Sequence, residues 1–189
     1  MILGIFETVK IINSLNSLDL KKRKDEIEKR VSEFYKVKKS DFNENSKSFQ
    51  IISELKDGRE ITFEFHTRMK NMPAPATIIK LESNDKDFNI VLTTETGIIV
   101  KIAKLLWLKD NEIGVHDFDK KYIIRSNNNE KCKKFLSEKV RNALIPFYDL
   151  KGTYQFQFII QNGKISIINN GILEVDHIKY YMDLINAII

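Results

Sequence analysis

Three side chains that could hold a metal ion stand close together in the middle of the sequence, where His116, Asp117 and Asp119 follow Gly114. An imidazole nitrogen and two carboxylates at this spacing could ligate one divalent cation and support a metal-dependent enzyme. The same residues also suit a tight turn, in which carboxylates accept hydrogen bonds from backbone N–H groups and Phe118 enters the core. The turn is the favoured interpretation, and the metal site is the weaker alternative.

The other reactive side chains suggest no active site. Cys132 has lysines beside it, which would lower the pKa of an exposed thiol, but its position on the apolar face of a predicted helix favours the core. His66 and His177 are predicted to lie at the surface. No nucleophile elbow and no glycine-rich phosphate loop occurs in the sequence. We therefore predict no catalytic residue and no cofactor.

Positive charge is concentrated in one segment. Between Asp19 and Ser40, nine lysines and arginines stand against five acidic residues, and the whole chain has a formal charge of +5. The segment could be a solvated helix face, which is the commonest case, or a surface for nucleic-acid phosphates or anionic lipid. The run from Lys21 to Lys24, with Lys29 and Arg30 beyond it, lacks the interleaved aromatic side chains that stack on unpaired bases. The candidate partner-, phosphate- or lipid-binding residues are Lys21, Lys22, Arg23, Lys24, Lys29 and Arg30.

The N-terminal part of the chain has the periodicity of two helices. Apolar side chains recur every three or four residues over residues 2–18, and a thinner apolar stripe continues over residues 20–35. We predict that residues 1–40 form a helical arm that carries the partner-binding surface. Residues 41–189 would then form an α+β body, which could be divided into lobes at 41–110 and 111–189.

Strand patterns dominate the middle of the chain. Residues 49–55 and 61–65 alternate between apolar and polar side chains around Asp57-Gly58, which predicts a hairpin. Further strands are expected over residues 77–82 and 88–93, so that four antiparallel strands are implied. The segment 97–109 is ambiguous between a strand end and a short helix.

The C-terminal half has a β-α-β-β-α pattern. A strand over residues 121–125 precedes a helix that Asn127 would cap, with Glu130 completing the capping box. Residues 153–160 and 164–168 would pair across Asn162-Gly163. A last helix, capped by Asp176, would bury Ile178, Met182, Ile185 and Ile189. The predicted fold class is α+β, with antiparallel sheet and packed helices.

The run G-V-H-D-F-D-K-K-Y from Gly114, with Ile123, Ile124 and then Lys133, Phe135 and Leu136, resembles a G-x-x-D-F-D pattern in loosely defined, uncharacterised prokaryotic proteins. In those proteins a small α+β domain usually follows membrane-anchoring segments and faces the cytosol. The resemblance covers residues from about Gly114 onward. It implies the fold and a place near the membrane, and no site residue. This sequence departs from the pattern because no spanning helix is expected.

Composition limits the function classes. The 189 residues are 42% hydrophobic, which is enough for one core, and the single cysteine excludes an internal disulfide. The start has no secretory signal pattern, and we expect a cytoplasmic protein, with a peripheral membrane position as an option. The leading hypothesis is a non-catalytic module that binds a protein partner or an anionic membrane surface. Nucleic-acid binding through residues 21–39 is the alternative, and a metal-dependent enzyme is the second alternative.

Overall fold

The computed structural model describes residues 17–67, 75–94, 109–150, 155–170 and 174–189. The strands in these ranges are β1 Lys36–Asn43, β2 Ser48–Glu54, β3 Glu60–His66, β4 Ala76–Glu82, β5 Ile90–Thr93, β6 Lys109–Asp110, β7 Ile123–Ser126, β8 Gln155–Gln161 and β9 Lys164–Asn170. The helices are α1 Ser17–Ser32, α2 His116–Asp119, α3 Asn129–Phe135, α4 Glu138–Asp149 and α5 Ile178–Ile188, and a 3-10 turn, Val175–His177, precedes α5.

The described strands form one nine-stranded sheet in the order β1-β2-β3-β4-β9-β8-β5-β7-β6. Every neighbouring pair is antiparallel. The hairpin of β8 and β9 lies between β4 and β5. The connection from β4 to β5 therefore crosses the two positions that β9 and β8 occupy. The predicted α+β class is confirmed, as is the β-α-β-β-α order of the C-terminal half, in which α3 and α4 together supply the first helix.

The main hydrophobic cluster lies on one side of the sheet, which we call the inner face. Strand register places Ile51, Phe63, Ile79 and Ile167 side by side on this face, and all are essentially without solvent contact. The described long helices pack here: Phe135 of α3 stacks on Phe158, and Phe147 of α4 stacks on Phe156 and meets Tyr181 of α5. Each such side chain contributes about 1.5–3 kcal/mol through burial.

Helix α1 belongs to this core. Leu20, Ile27 and Val31 are fully buried in the main hydrophobic cluster, so the predicted apolar stripe is confirmed at Ile27 and Val31. Its last predicted member, Phe34, is exposed instead. The interpretation of residues 1–40 as a separate arm is wrong for residues 17–40, because α1 packs against β1 and β2 and β1 is a strand of the sheet. The helix predicted over residues 2–18 lies outside the described residues, apart from its last two.

The predicted boundary at residue 110 does not divide the sheet either. Strand β4, from the first proposed lobe, pairs with β9 from the second, and β5 pairs with β7 and β8. Strands from the two segments therefore alternate within one sheet and share one core.

The two predicted hairpins are confirmed by their turn residues. Gly58 has φ +86° in the turn between β2 and β3, where the N–H of Leu55 donates to the carbonyl of Arg59. Asn162 and Gly163 have φ 52° and 73°, the two consecutive positive values that a tight hairpin turn requires. At Gly163 a Cβ atom would also lie 2.9 Å from Cγ of Lys86, so the position is closed by packing as well.

Two predicted details of the helix that follows β7 are wrong. The cap of α3 is Asn128, whose side chain accepts from the N–H of Lys131 at 2.9 Å. Asn127 instead accepts from the N–H of Asn89 and donates to the carbonyl of Asp87. The single helix predicted up to Phe147 is two helices, α3 and α4, which are separated at Leu136.

The last helix also differs from its prediction at both ends. No side-chain hydrogen bond caps the 3-10 turn or α5, so Asp176 does not act as the predicted cap. Ile178, Met182 and Ile185 are buried as expected, but Ile189 is 49% exposed and lies outside the core. The strand end and short helix considered for residues 97–109 lie outside the described residues, except for Lys109 in β6.

Candidate interaction surface

The side of β1–β4 and β9 that faces away from the helices carries polar and charged side chains, and we call it the outer face. Ala76, Ile78 and Asn170 on this face are buried, and its other side chains are half-buried or exposed. By strand register, the outer face consists of Lys36, Lys39, Asp41, Asn43, Ser48, Gln50, Ile52, Glu54, Glu60, Thr62, Glu64, His66, Ala76, Ile78, Lys80, Glu82, Lys164, Ser166, Ile168 and Asn170, and Lys38 in the bulge of β1 reaches it.

Carboxylates of two neighbouring strands lie opposite each other at one end of this face. Glu54 pairs in register with Glu60, an arrangement of like charges that would be destabilising by itself. Lys38 compensates, because its Nζ lies 3.0 Å from a Glu54 oxygen and 3.1 Å from a Glu60 oxygen. The hydrogen bond from Lys38 lowers the pKa of Glu54, and the bonds to Glu54 and Glu60 raise the pKa of Lys38. Glu54 and Lys38 are therefore both charged at neutral pH.

Glu64 is the centre of a second polar cluster on the same face. Nζ of Lys80 donates to both of its carboxylate oxygens at 2.8 and 2.9 Å, and Nε2 of His66 lies 3.4 Å from one of them. Partial burial opposes ionisation of Glu64, but the hydrogen bonds with Lys80 and His66 outweigh it and lower the pKa of the carboxyl. The cluster presents fixed charges and contains no nucleophile.

A groove of about 890 Å³ lies at the end of the outer face where β2 turns into β3. Its walls include Arg59, Lys80 and Lys164 and also Asp57, Glu60 and Glu82, so the charges in it are balanced. Arg59 is fixed there by two bonds to Asp57 and one, at 2.7 Å, to the carbonyl of Glu82. The groove can therefore accept polar groups of either sign.

Strand β1 forms one edge of the sheet, and no other described strand pairs with its outer side. A bulge between Val37 and Lys39 shifts the register, and Lys36, Lys38 and Lys39 are all exposed. An edge strand offers unpaired backbone N–H and C=O groups, which are a template for a further strand. Bulges and lysines are the devices by which such edges avoid uncontrolled pairing.

The basic residues of α1 do not form one open patch. Arg23 pairs with Glu174 at 3.1 Å, and Arg30 pairs with Glu33. Lys24 is buried and contacts Glu28, Asp25 and Ser40. Burial opposes the charge of Lys24, but the hydrogen bonds to Glu28 and Asp25 outweigh it and raise the pKa of the lysine. Lys21, Lys22 and Lys29 remain exposed.

The candidate metal ligands form a turn. The carboxylate of Asp119 accepts hydrogen bonds from the backbone N–H groups of Ile113, Gly114 and Val115 at 3.0–3.2 Å. His116 and Asp117 point into solvent, with exposed fractions of 76% and 96%. Nowhere in the described residues do three His, Cys, Asp or Glu side chains converge as metal ligands would. The geometry agrees with the turn interpretation.

Phe118 and Cys132 both lie in the core. The ring of Phe118 packs on Tyr122 at a centroid distance of 4.9 Å, as the turn interpretation requires. Cys132 is fully buried, and burial raises the pKa of its thiol. A raised pKa leaves little thiolate at neutral pH, so this cysteine is a packing residue.

The sequence alone does not reveal that the polar side chains of the outer face share one face of the sheet. The signal is present in the polar members of alternating strands, such as Gln50, Thr62 and Glu64, which stand between apolar residues. It becomes informative only when strand register brings Lys80, 16 residues away, onto Glu64. The charge of the β1 lysines is visible in the sequence, but the prediction places them in a helical arm of residues 1–40.

Comparison with known proteins identifies a related fold and no family. No protein-family model and no curated protein matches the sequence. The crystal structure of the mycobacterial trehalose monomycolate transport factor A superimposes with a TM-score of 0.52. The match covers 89% of this chain and 91% of that chain at 8% sequence identity. At this identity the likeness shows the fold alone.

None of the described helices is both long enough and apolar enough to cross a bilayer.

Proposed function

We propose that this protein is a non-catalytic interaction module whose outer face and β1 edge bind an extended segment of a protein partner. The observation that supports this most directly is the position of β1, an eight-residue strand at the edge of the sheet. Addition of a strand to an open edge supplies main-chain hydrogen bonds, and neighbouring side chains supply specificity. The outer face lies directly beside this edge.

Charge favours an acidic partner segment over a second copy of this chain. Strand β1 carries Lys36, Lys38 and Lys39 against one acidic residue, Asp41, which pairs with Lys39 at 2.6 Å. Two copies paired through β1 would each bring an excess of positive charge to the interface, and like charges across an interface cost binding energy. Aspartate or glutamate side chains on the added strand would instead lie near the lysines.

The comparison adds limited support to this proposal. The structural neighbour is named as a transport factor, a description that implies binding and no particular reaction. Because the fold is shared and the sequence is not, this is an analogy between folds. The polar clusters described above, in which each charge is paired and none adjoins a nucleophile, agree with binding.

Photo-crosslinking in the host cell tests the proposal by comparing crosslinkers placed on the sheet with crosslinkers placed on the helices. A photoreactive amino acid at Lys39 or Thr62 samples the edge and the outer face, and the same residue at Asn142 or Lys179 samples exposed positions of α4 and α5. We expect one common protein to be crosslinked from Lys39 and Thr62 and not from the helix positions. Mass spectrometry should place the crosslink in an extended acidic segment of that protein.

Two results would contradict the proposal. Equal crosslinking from the helix positions would show that contact is not directed by the sheet. A second copy of this chain as the product would show that β1 mediates self-association and that the charge argument is wrong. Circular dichroism of each variant confirms that the photoreactive residue leaves the fold intact.

A membrane-proximal role is the second candidate, and one observation favours it. Leu18 is 74% exposed at the start of α1, close in sequence to the exposed Lys21 and Lys22. An apolar side chain beside lysines suits an anionic bilayer surface. We expect flotation with anionic vesicles at low salt that Lys21→Glu combined with Lys22→Glu abolishes. A cytoplasmic location peripheral to the membrane belongs to this candidate.

The remaining alternatives receive less support. Nucleic-acid binding through residues 21–39 would need a continuous basic surface, but Arg23, Lys24 and Arg30 are engaged with carboxylates. It predicts affinity that falls steeply with salt. A metal-dependent enzyme would need Asp119 as a ligand, and that carboxylate already accepts three backbone hydrogen bonds. It predicts a divalent ion that raises the melting temperature, an effect that Asp119→Ala would remove.

A further inference from the structure

A second cavity, of about 440 Å³, opens on the helix side of the sheet, between the loop after β4, helix α3 and the end of α5. Its size falls within the usual range for small-molecule sites, about 300–1,000 Å³. The apolar part of its lining is Phe88, Phe135, Ile160, Ile165 and Ile188.

Aromatic packing shapes the apolar wall. The ring of Phe135 lies 5.8 Å from Phe88 on one side and 5.6 Å from Phe158 on the other. Phe88 and Phe158 are buried, whereas Phe135 and Ile188 are only half-buried and keep surface open to the cavity. A hydrocarbon chain placed here would remove apolar surface from water on both partners.

Cationic side chains stand at the rim of the same cavity. Lys131 is held by Asp85 at 2.6 Å, and Arg59 is held by Asp57 and the Glu82 carbonyl. Lys134 also lines the cavity and is exposed, and no ion pair joins it to an acidic group of the described residues. Among the described residues that line the cavity, Lys134 is therefore a cation available to a ligand.

We propose that this cavity binds a single-chain amphiphile with an anionic head group. The chain would lie along Phe135 and Ile188, and the head would accept a charge-assisted hydrogen bond from Nζ of Lys134. An apolar wall with a cation at its mouth that pairs with no acidic group of the described residues is complementary to this chemistry, whereas an uncharged chain leaves Lys134 unused. The site shares Arg59 with the groove of the outer face, but the ligand contacts proposed here are made by Lys134, Phe135 and Ile188 on the helix side, so the proposal does not depend on the proposed function.

Titration calorimetry with a series of carboxylates from hexanoate to dodecanoate, kept below micelle-forming concentrations, tests the proposal. Each added methylene should strengthen binding about four-fold, corresponding to about 0.8 kcal/mol of burial, until the cavity is full. Binding should saturate at one ligand per chain. Decyl phosphate in parallel distinguishes a phosphate head from a carboxylate head, and dodecyl maltoside reports binding without charge.

Matched variants distinguish binding in this cavity from nonspecific association of the ligand with the protein surface. Lys134→Glu should weaken decanoate binding about ten-fold or more, while Lys133→Glu, which makes the same charge change at the neighbouring exposed residue, should change it less than two-fold. Ile188→Asp should abolish binding, and Ile189→Asp, outside the cavity, should not. Lys134→Gln provides a milder second variant if the charge reversal perturbs α3.

Three outcomes would overturn the proposal. The first is the absence of saturable binding by any member of the series. The second is an affinity that does not depend on chain length. The third is an equal loss of affinity in Lys133→Glu and Lys134→Glu. Tighter binding of dodecyl maltoside than of dodecanoate would exclude the anionic head group.

Discussion

The inner and outer faces of the same strands have opposite chemistry. In β3, Ile61, Phe63 and Phe65 face the helices and are buried, whereas Thr62 and Glu64 between them face outward and are half-buried. The inner face is held by packing, which is dense and intolerant of change. The outer face is held by ion pairs, which add little stability and can exchange partners. The difference indicates that folding depends on one face and that the other is free to evolve a binding role.

The largest predicted effect concerns neighbouring residues of β3. Phe63→Ala leaves a cavity in the inner face and should lower the free energy of unfolding by about 3–5 kcal/mol. Thr62→Ala, one position along the chain but on the outer face, should change it by less than about 0.5 kcal/mol. Urea unfolding followed by circular dichroism measures both. Similar losses for the two variants would contradict the division between the faces.

The second prediction tests whether α1 is part of the inner layer. Ile27 is fully buried, so Ile27→Ala should cost about 2–5 kcal/mol. Lys22→Ala, on the exposed side of α1, should cost less than about 0.5 kcal/mol. The same unfolding measurement applies. If Ile27→Ala is neutral, α1 is an appendage and the arm interpretation returns.

The third prediction concerns the start of α3 in the helix layer. Asn128→Ala removes the side-chain acceptor of the Lys131 N–H and should cost about 1 kcal/mol. Asn129→Ala, at the exposed next position, serves as the control and should be close to neutral. A larger loss for Asn129→Ala would place the cap elsewhere.

The smallest effect is expected on the outer face. Glu64→Gln weakens a partly exposed ion pair with Lys80 and should cost less than about 1 kcal/mol at pH 7. Because the folded pKa of Glu64 lies below its usual value of 4.5, its contribution is present above that value and is lost as the pH falls through the folded pKa. Wild type should therefore lose this small advantage over Glu64→Gln on acidification.

The unfolding midpoints of wild type and Glu64→Gln, measured at pH 7 and pH 3, show whether the stabilities of the two proteins become more similar at low pH. Glu44→Gln, in an exposed turn, is the matched control. A difference between wild type and Glu64→Gln that grows as the pH falls would contradict the sign of this prediction.

Local chemistry predicted much of the fold. Asp57-Gly58 and Asn162-Gly163 identified both hairpins because the backbone conformation of a tight turn is set by the residues within it. The alternation in β2, β3 and β8 was visible for a similar reason, since one face of each is apolar. Strand β1 was not predicted because it is mostly polar and its bulge interrupts the alternation of apolar and polar residues.

Non-local pairing could not be predicted. Nothing in Ile79 indicates that Ile167 will be its neighbour, so the insertion of β8 and β9 between β4 and β5 was not foreseen. The burial of Leu20, Ile27 and Val31 was visible as a stripe, but the surface that covers them was not. The Glu64 cluster and the Phe135 cavity likewise arise only when distant segments meet.

The central claim is that the outer face and the β1 edge form a binding surface. Charge reversal at the edge tests this claim most directly. The yield of crosslinking from Thr62 can be compared between wild type, a Lys36→Glu and Lys39→Glu variant, and a Lys133→Glu and Lys179→Glu variant that makes the same change on the helix layer. We predict at least a ten-fold lower yield, about 1.4 kcal/mol, for the β1 variant alone, with no change in unfolding midpoint. An unchanged yield for the β1 variant, or an equal loss in the helix-layer variant, would contradict the account.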